Sequence, residues 1–298
     1  IKEMKRYFVL LMLLVWVIPK TLKAQGFRYP IPSDSILDRH GRVTYMLEHF
    51  WNEQNIADTT AFKNPKFMLD YLYLLKQVSD EEKYKYIASF VMYVSNYDEA
   101  CGNLFWLLDR LLYDSSSSHY NEEAYRNFLE AFMVTDIDTS FKSLIEARLN
   151  IVRKNIIGYP ANDFSFIDKQ GVIHRLYDID APLLLLIFNN PDCSLCKQTE
   201  DSIDNNNIIK SLLKSDSLKI LAITSNVEYN KWIKHAYPKK WILGVDIDER
   251  IYTTRLYDIQ RLPSIYLLDN DKRVLLKEAD YERLDNYLSS FGQQISHN

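Results

Sequence analysis

Apolar positions along this chain follow two different periods. Up to about residue 156 they recur three and four apart. Val43, Met46, Leu47, Phe50 and Trp51 form one stripe, Ile87, Phe90, Val91 and Val94 another, and Leu104, Leu107, Leu108 and Leu111 a third. Phe128, Leu129 and Phe132, then Phe141, Leu144, Ile145 and Val152, continue the series. That spacing places each set on one face of an α-helix. Ser79-Asp-Glu-Glu82 reads as a capping box that starts the helix carrying the second stripe. Ser115 to Ser118 reads as a flexible connector between helices, because helical stripes continue on both sides of it. No fixed repeat length is present, which argues against a solenoid.

After Gly158-Tyr-Pro-Ala-Asn-Asp-Phe164 the period switches. Residues 163–167 and 172–176, separated by Asp-Lys-Gln-Gly, predict a hairpin. Strands are expected at 183–188, 218–224, 241–245, 264–268 and 273–277. Helices are expected over 193–213, 227–235 and 249–257, and from Tyr281 onward. Strands alternating with helices imply a largely parallel sheet covered on both faces. The expected fold class is therefore two domains, an N-terminal all-α helical domain over 25–156 followed by a C-terminal α/β domain over 157–298.

Composition agrees with this division, since the chain has 298 residues, 47% of them hydrophobic, and only seven glycines. At the start, Met4-Lys-Arg6 precedes an apolar run from Tyr7 to Ile18, then Pro19 and Thr21-Leu-Lys-Ala24-Gln25. This has the three regions of a signal peptide over 1–24, and the run is shorter than the ~20 residues that span a bilayer. Export to the periplasm or cell envelope is thus expected, with membrane attachment only if the leader stays uncleaved. Residues 25–298 carry 31 Lys/Arg against 39 Asp/Glu, a net −8, which makes nucleic acid an unsuitable partner.

The stretch that carries chemistry is Leu183-Leu-Leu-Leu-Ile-Phe188 followed by Asn189-Asn-Pro-Asp-Cys193-Ser-Leu-Cys196. Six apolar residues without alternation suit a strand buried on both faces, and the turn after them opens a helix. Two intervening residues put both cysteines in the first helical turn, with the first sulfur near unpaired backbone N–H groups that favour a thiolate. Cys193 would then be the attacking nucleophile and Cys196 the resolving thiol. Half a zinc site or an inert structural disulfide would give the same spacing. Zinc wants four ligands, however, and the remaining cysteine, Cys101, lies far upstream on the apolar face of Leu104, Leu108 and Leu111. Cys101 reads as a packed, unreactive thiol. Tyr71, Tyr73, Tyr84, Tyr86, Tyr93 and Tyr97 read as packing residues with hydroxyls at the surface, or else as the lining of a groove. No metal and no cofactor are expected.

The Gly158-x-x-Ala-x-Asp-Phe opening, the cysteine turn and Tyr257-Asp-Ile-Gln-Arg-Leu-Pro263-Ser-Ile-Tyr-Leu-Leu-Asp269 together resemble TlpA/ResA-like thiol-disulfide oxidoreductases of the thioredoxin superfamily. The resemblance covers roughly residues 156–298 and implies a thioredoxin fold there. It also implies that Pro263 is cis and faces the cysteines, with Leu262 supplying backbone groups that hold an extended substrate. The helical part looks like a domain of unknown function that precedes such modules in envelope proteins.

Several positions depart from that family. Asp192 stands where an aromatic residue is usual, Ile187 where ordinary thioredoxins bury an acid, and Thr199 where TlpA/ResA-like proteins carry a glutamate. Glu200, four residues after Cys196, is the nearest substitute as a proton acceptor; the competing reading is a solvated helix charge. Asp192 reads equally as a helix N-cap. Asn190 lacks the hydroxyl that peroxiredoxins need, and His235 sits in no copper-delivery motif. The resulting expectation is an exported oxidoreductase that reduces disulfides of envelope proteins and is recharged by an upstream thiol reductant. The alternative is a non-enzymatic envelope adaptor with a structural disulfide.

Overall fold

The computed structural model describes residues 27–225, 229–246 and 248–295. The expected signal peptide over 1–24 lies outside the described residues. The chain forms two compact units, which divide between Ser79 and Asp80.

The first unit holds helices α1 (Arg39–His49), α2 (Thr60–Lys63) and α3 (Pro65–Leu75). Asp38 caps α1 by accepting the Gly41 N–H at 2.7 Å, and Asn64 caps α3 by accepting that of Lys66 at 3.0 Å. These caps satisfy backbone donors that a helix start leaves open. Phe50, Trp51, Met68 and Tyr71 fill its core, each at most 5% exposed.

The second unit begins with helices α4 (Asp80–Val94) and α5 (Asp98–Leu108), a π-helical turn over Asp109–Tyr113, then α6 (Glu122–Met133) and α7 (Thr139–Val152). The same unit continues through strands β1 (Ser165–Ile167), β2 (Ile173–Arg175) and β3 (Leu183–Asn189), then helices α8 (Ser194–Asn205) and α9 (Asn207–Lys214). It ends with β4 (Leu218–Ser225), α10 (Tyr229–Lys234), β5 (Ile242–Asp246), α11 (Arg250–Thr253), β6 (Ser264–Asp269), β7 (Val274–Ala279) and α12 (Tyr281–Ile295).

This corrects the expected fold class, an independent all-α domain ahead of an α/β domain. Helices α4–α7 fold as one body with a seven-stranded mixed sheet. The physical reason lies in the polar groups they bury together. Lys277 on β7 is 1% exposed; its Nζ donates to Glu122 Oε1 at 2.8 Å and to the carbonyls of Val152 at 3.2 Å and Lys154 at 2.6 Å. A buried ammonium needs that full set of acceptors, and α6, the end of α7 and Lys154 just after it supply them.

The sheet order is β2-β1-β5-β4-β3-β6-β7. Strand pairs β3–β4 and β4–β5 are parallel, while β3–β6, β6–β7, β1–β5 and β1–β2 are antiparallel, so the expected largely parallel sheet is mixed instead. Strand β3 lies inside the sheet, between β4 and β6. Its Leu184, Leu186 and Phe188 face a core with Phe164, Phe166, Tyr257 and Tyr266, while Leu185 and Ile187 face the other with Ile203, Ile209, Leu284 and Leu288. Gly244 on β5 permits close packing there: a Cβ would sit 2.4 Å from the Phe166 ring and 2.6 Å from Ile223.

The helix expected over 193–213 is two helices. Asn206 stops the first and caps the second, its Oδ1 accepting from Ile208 N and Ile209 N at 2.9 and 3.1 Å. Its Nδ2 donates to Asp285 Oδ1 at 2.6 Å, which ties the break to α12. Ser115, expected in a flexible connector, is 4% exposed. Cys101 is 2% exposed, donates to the Val94 carbonyl at 3.5 Å, and burial pushes its thiol up to about 11. Tyr71 and Tyr86 are buried, whereas Tyr73, Tyr84, Tyr93 and Tyr97 stand exposed.

Candidate active site

Strand β3 ends at Asn189, and the chain turns through Asn190-Pro-Asp before α8 begins at Ser194. The turn is closed by Asn190, whose Oδ1 accepts the Asp192 N–H at 2.9 Å and whose carbonyl accepts that of Cys193 at 3.0 Å. Cys193 itself is the N-cap of α8, not Asp192. Its backbone is extended, with φ −95° and ψ 112°, and its Sγ accepts the Cys196 N–H at 3.2 Å. A sulfur in that place receives one of the open donors of the helix start. Cys193 is half-buried, and both cysteines are free thiols.

Cys196 differs from it. Only 1% exposed, it is pushed up to about 12, first by burial and then by its hydrogen bond with Cys193, with the charges of Cys193 and Glu200 adding to the effect. The pair thus has one reachable sulfur at a helix start and one enclosed sulfur that resists ionisation.

Glu200 lies one helical turn beyond Cys196 and is 2% exposed, which excludes the reading of a solvated helix charge. Its Oε1 accepts from Asn189 Nδ2 at 2.9 Å, and His235 Nε2 reaches Oε2 at 3.4 Å. Asn189 is held in turn by Thr224, which donates to its Oδ1 at 3.0 Å, and by the Tyr237 hydroxyl at 3.4 Å. A buried carboxyl persists only with partners of this kind. Ile187, in the position where ordinary thioredoxins bury an acid, packs in the apolar core on the α8 side. The buried acid near Cys196 is therefore supplied by the helix and not by the strand.

The opposite wall is the segment between Tyr257 and Ser264. The Leu262–Pro263 peptide bond is cis, and Cys193 Sγ donates to the Leu262 carbonyl at 3.8 Å. The Leu262 carbonyl is therefore brought to Cys193, with Pro263 next to it in the chain. Among the described residues there is no group of three or more His, Cys, Asp or Glu side chains placed to hold a metal ion.

Comparison with known proteins places this geometry. The family described as "Domain of unknown function (DUF5106)" matches residues 18–155. No curated protein matches the chain. A thioredoxin-like protein from Bacteroides caccae, of known crystal structure, is 30% identical, with 89% of this chain and 98% of that one covered and a TM-score of 0.78. The chain belongs to the thioredoxin-like proteins.

Because the Bacteroides caccae match covers 89% of this thioredoxin-like protein, it takes in the helices before the sheet as well as the sheet itself. The C-terminal domain of an uncharacterized protein from Bacteroides fragilis is 34% identical, covering 45% of this chain and 98% of its own, with a TM-score of 0.44. The thioredoxin domain of a thiol-disulfide oxidoreductase from Bacteroides vulgatus is 19% identical, covering 45% and 98%, with a TM-score of 0.37.

Some residues at the site of this thioredoxin-like protein carried no sequence signal. Asn189 looked like turn punctuation, and His235 lay 35 residues from the carboxyl it reaches. Loop 257–264 also has partners that the sequence did not reveal. Tyr113 donates to Asp258 Oδ1 at 2.9 Å, Gln260 Nε2 donates to the Tyr113 carbonyl at 3.0 Å, and Arg261 donates to Ser115 Oγ at 2.8 Å. These hydrogen bonds join the π-helical turn and the serine run to the loop beside Cys193, which explains why Ser115 is buried.

Proposed function

We propose that the protein is an exported thiol-disulfide oxidoreductase that reduces disulfides of envelope proteins through Cys193 and Cys196. The observation that carries this reading is the asymmetry of the pair: a half-buried Cys193 sulfur at the start of α8, facing the Leu262 carbonyl, and an enclosed Cys196 beside the buried Glu200. Membership of the thioredoxin-like proteins supports it. The basic and apolar leader supports export.

In the first step the Cys193 thiolate attacks one sulfur of the substrate disulfide. The new sulfur–sulfur bond replaces the old one, and the other substrate sulfur leaves as a thiolate that takes a proton from solvent. Backbone groups at Leu262 hold the substrate chain extended across the site. In the second step Cys196 gives its proton to Glu200 and attacks Cys193 Sγ. The second substrate sulfur leaves reduced, and the protein is left with a Cys193–Cys196 disulfide. Two electrons have passed to the substrate. A dithiol reductant upstream restores the protein by the reverse pair of exchanges.

The test is trapping. Cys196→Ser should accumulate mixed disulfides between Cys193 and substrate, and Cys193→Ser should accumulate none. Full turnover of a peptide disulfide by either single variant would overturn the assignment and leave an adaptor with a structural disulfide.

A further inference from the structure

One carboxyl holds both ends of the loop that faces Cys193. Glu278 lies on β7 and is 2% exposed, in the left-handed region at φ 48°. Its Oε1 accepts the Gln260 backbone N–H at 3.1 Å, and its Oε2 accepts from Ser264 Oγ. Residues 260 and 264 bracket Leu262, whose carbonyl is the group 3.8 Å from Cys193 Sγ. The Tyr266 hydroxyl adds a third tie by donating to the Asp258 carbonyl at 2.7 Å, but it cannot change charge at ordinary pH, being fully buried and well above its usual range for that reason.

We infer that Glu278 is a positioning residue, whose carboxyl fixes the 260–264 loop against Cys193 and whose gain or loss of a proton changes how firmly extended substrates are held. This rests on the oxidoreductase reading above. The charged groups around it come from several elements. Asp258 and Arg261 face it from the loop, the first opposing its charge and the second favouring it. The hydroxyls of Tyr252 on α11, Tyr120 ahead of α6 and Tyr266 on β6 feel its charge, and Arg283 on α12 donates to its backbone carbonyl at 3.0 Å. Burial outweighs the rest and pushes the carboxyl up to about 8. Below that pH the neutral acid donates to Ser264. Above it the carboxylate accepts from both Gln260 and Ser264, and charge-assisted bonds of that kind are about twice as strong as neutral ones. The loop is then held more firmly as pH rises through 8.

Two substrates separate this effect from the reactivity of Cys193 itself. One is a mixed disulfide between a short extended cysteine peptide and thionitrobenzoate, which uses the loop. The other is the symmetric nitrobenzoate disulfide, which is too small to do so. In the wild-type full-length chain, KM for the peptide substrate should fall roughly threefold to tenfold between pH 7 and 9, the size expected of a strengthened hydrogen bond. Glu278→Gln, which keeps the shape without the charge, should hold KM near its low-pH value throughout. Ser264→Ala should reduce the pH response without abolishing it. Rates with the small disulfide should follow one pH profile in all three proteins. An unchanged KM profile in Glu278→Gln and Ser264→Ala, with normal turnover, would overturn the role of Glu278 alone. So would an equal effect of Glu278→Gln on both substrates. Absence of turnover in the wild type would remove the oxidoreductase reading, and this inference with it.

Discussion

Glu200→Gln should slow the step in which Cys196 displaces substrate from Cys193, and leave the first attack by Cys193 untouched. The Cys196 thiol is pushed up to about 12, burial being the largest cause. At that value only about one thiol in 10⁵ is ionised at pH 7. Resolution at a useful rate then needs a base at hand, and Glu200 is a buried carboxyl one turn away, oriented by Asn189 at 2.9 Å. Loss of a positioned general base costs roughly 10²- to 10⁴-fold. An opposing effect must be weighed against this: the Glu200 charge itself helps hold Cys196 protonated, so removing it eases ionisation. Burial ranks first among the causes of the Cys196 shift and that charge behind it, so the loss of the base should win. The assay uses the peptide–thionitrobenzoate disulfide. Release of thionitrobenzoate times the first attack, and acid quench followed by intact mass times the decay of the Cys193–peptide adduct. The adduct should live about 100-fold longer or more in Glu200→Gln at pH 7. The difference should shrink as pH rises and hydroxide takes over the proton. An unchanged or shorter adduct lifetime, with normal attack and an unaltered thermal melt, would refute Glu200 as the proton acceptor.

Lys277→Met should strand the Glu122 carboxylate and the carbonyls of Val152 and Lys154, and so cost about 3–5 kcal/mol in urea unfolding. Adding Glu122→Leu should recover much of that loss, and a further loss in the double variant would contradict the account. Stability should also depend on pH through Glu278, whose folded-state value of about 8 stands above the ordinary 4.5. The folded state then holds that proton more tightly than the unfolded chain. Its contribution is complete below pH 4.5 and erodes as pH climbs through 8, by up to about 5 kcal/mol. Relative to Glu278→Gln the wild type should therefore lose ground in urea between pH 5 and 9, and a constant difference across that range would exclude the mechanism.

Burial of β3 on both faces and the cysteine turn were legible in the sequence, and the loop at Leu262-Pro263 through the family resemblance, because each rests on a short motif. The period of apolar residues marks which face of a strand or helix is dry. It does not say what covers that face. Glu200 shared a helical face with Cys196 by spacing alone, yet whether that face met water or Asn189 and His235 depended on β3 and on the segment after α10, 35 residues away. Lys277 closed the strand expected over 273–277 and Glu278 lay just past it; only the packing of β7 against α6, α7 and the 260–264 loop buried both and gave them opposite partners. The same limit applies to the helices. Their stripes predicted helices correctly, but amphipathic spacing carries no information on whether the dry face closes on other helices or on a sheet. The tertiary structure decided that α4–α7 belong to the body of the sheet, because long-range acceptors for one buried ammonium, and hydrogen bonds that join Tyr113 and Ser115 to the loop beside Cys193, exist only once both parts have folded together.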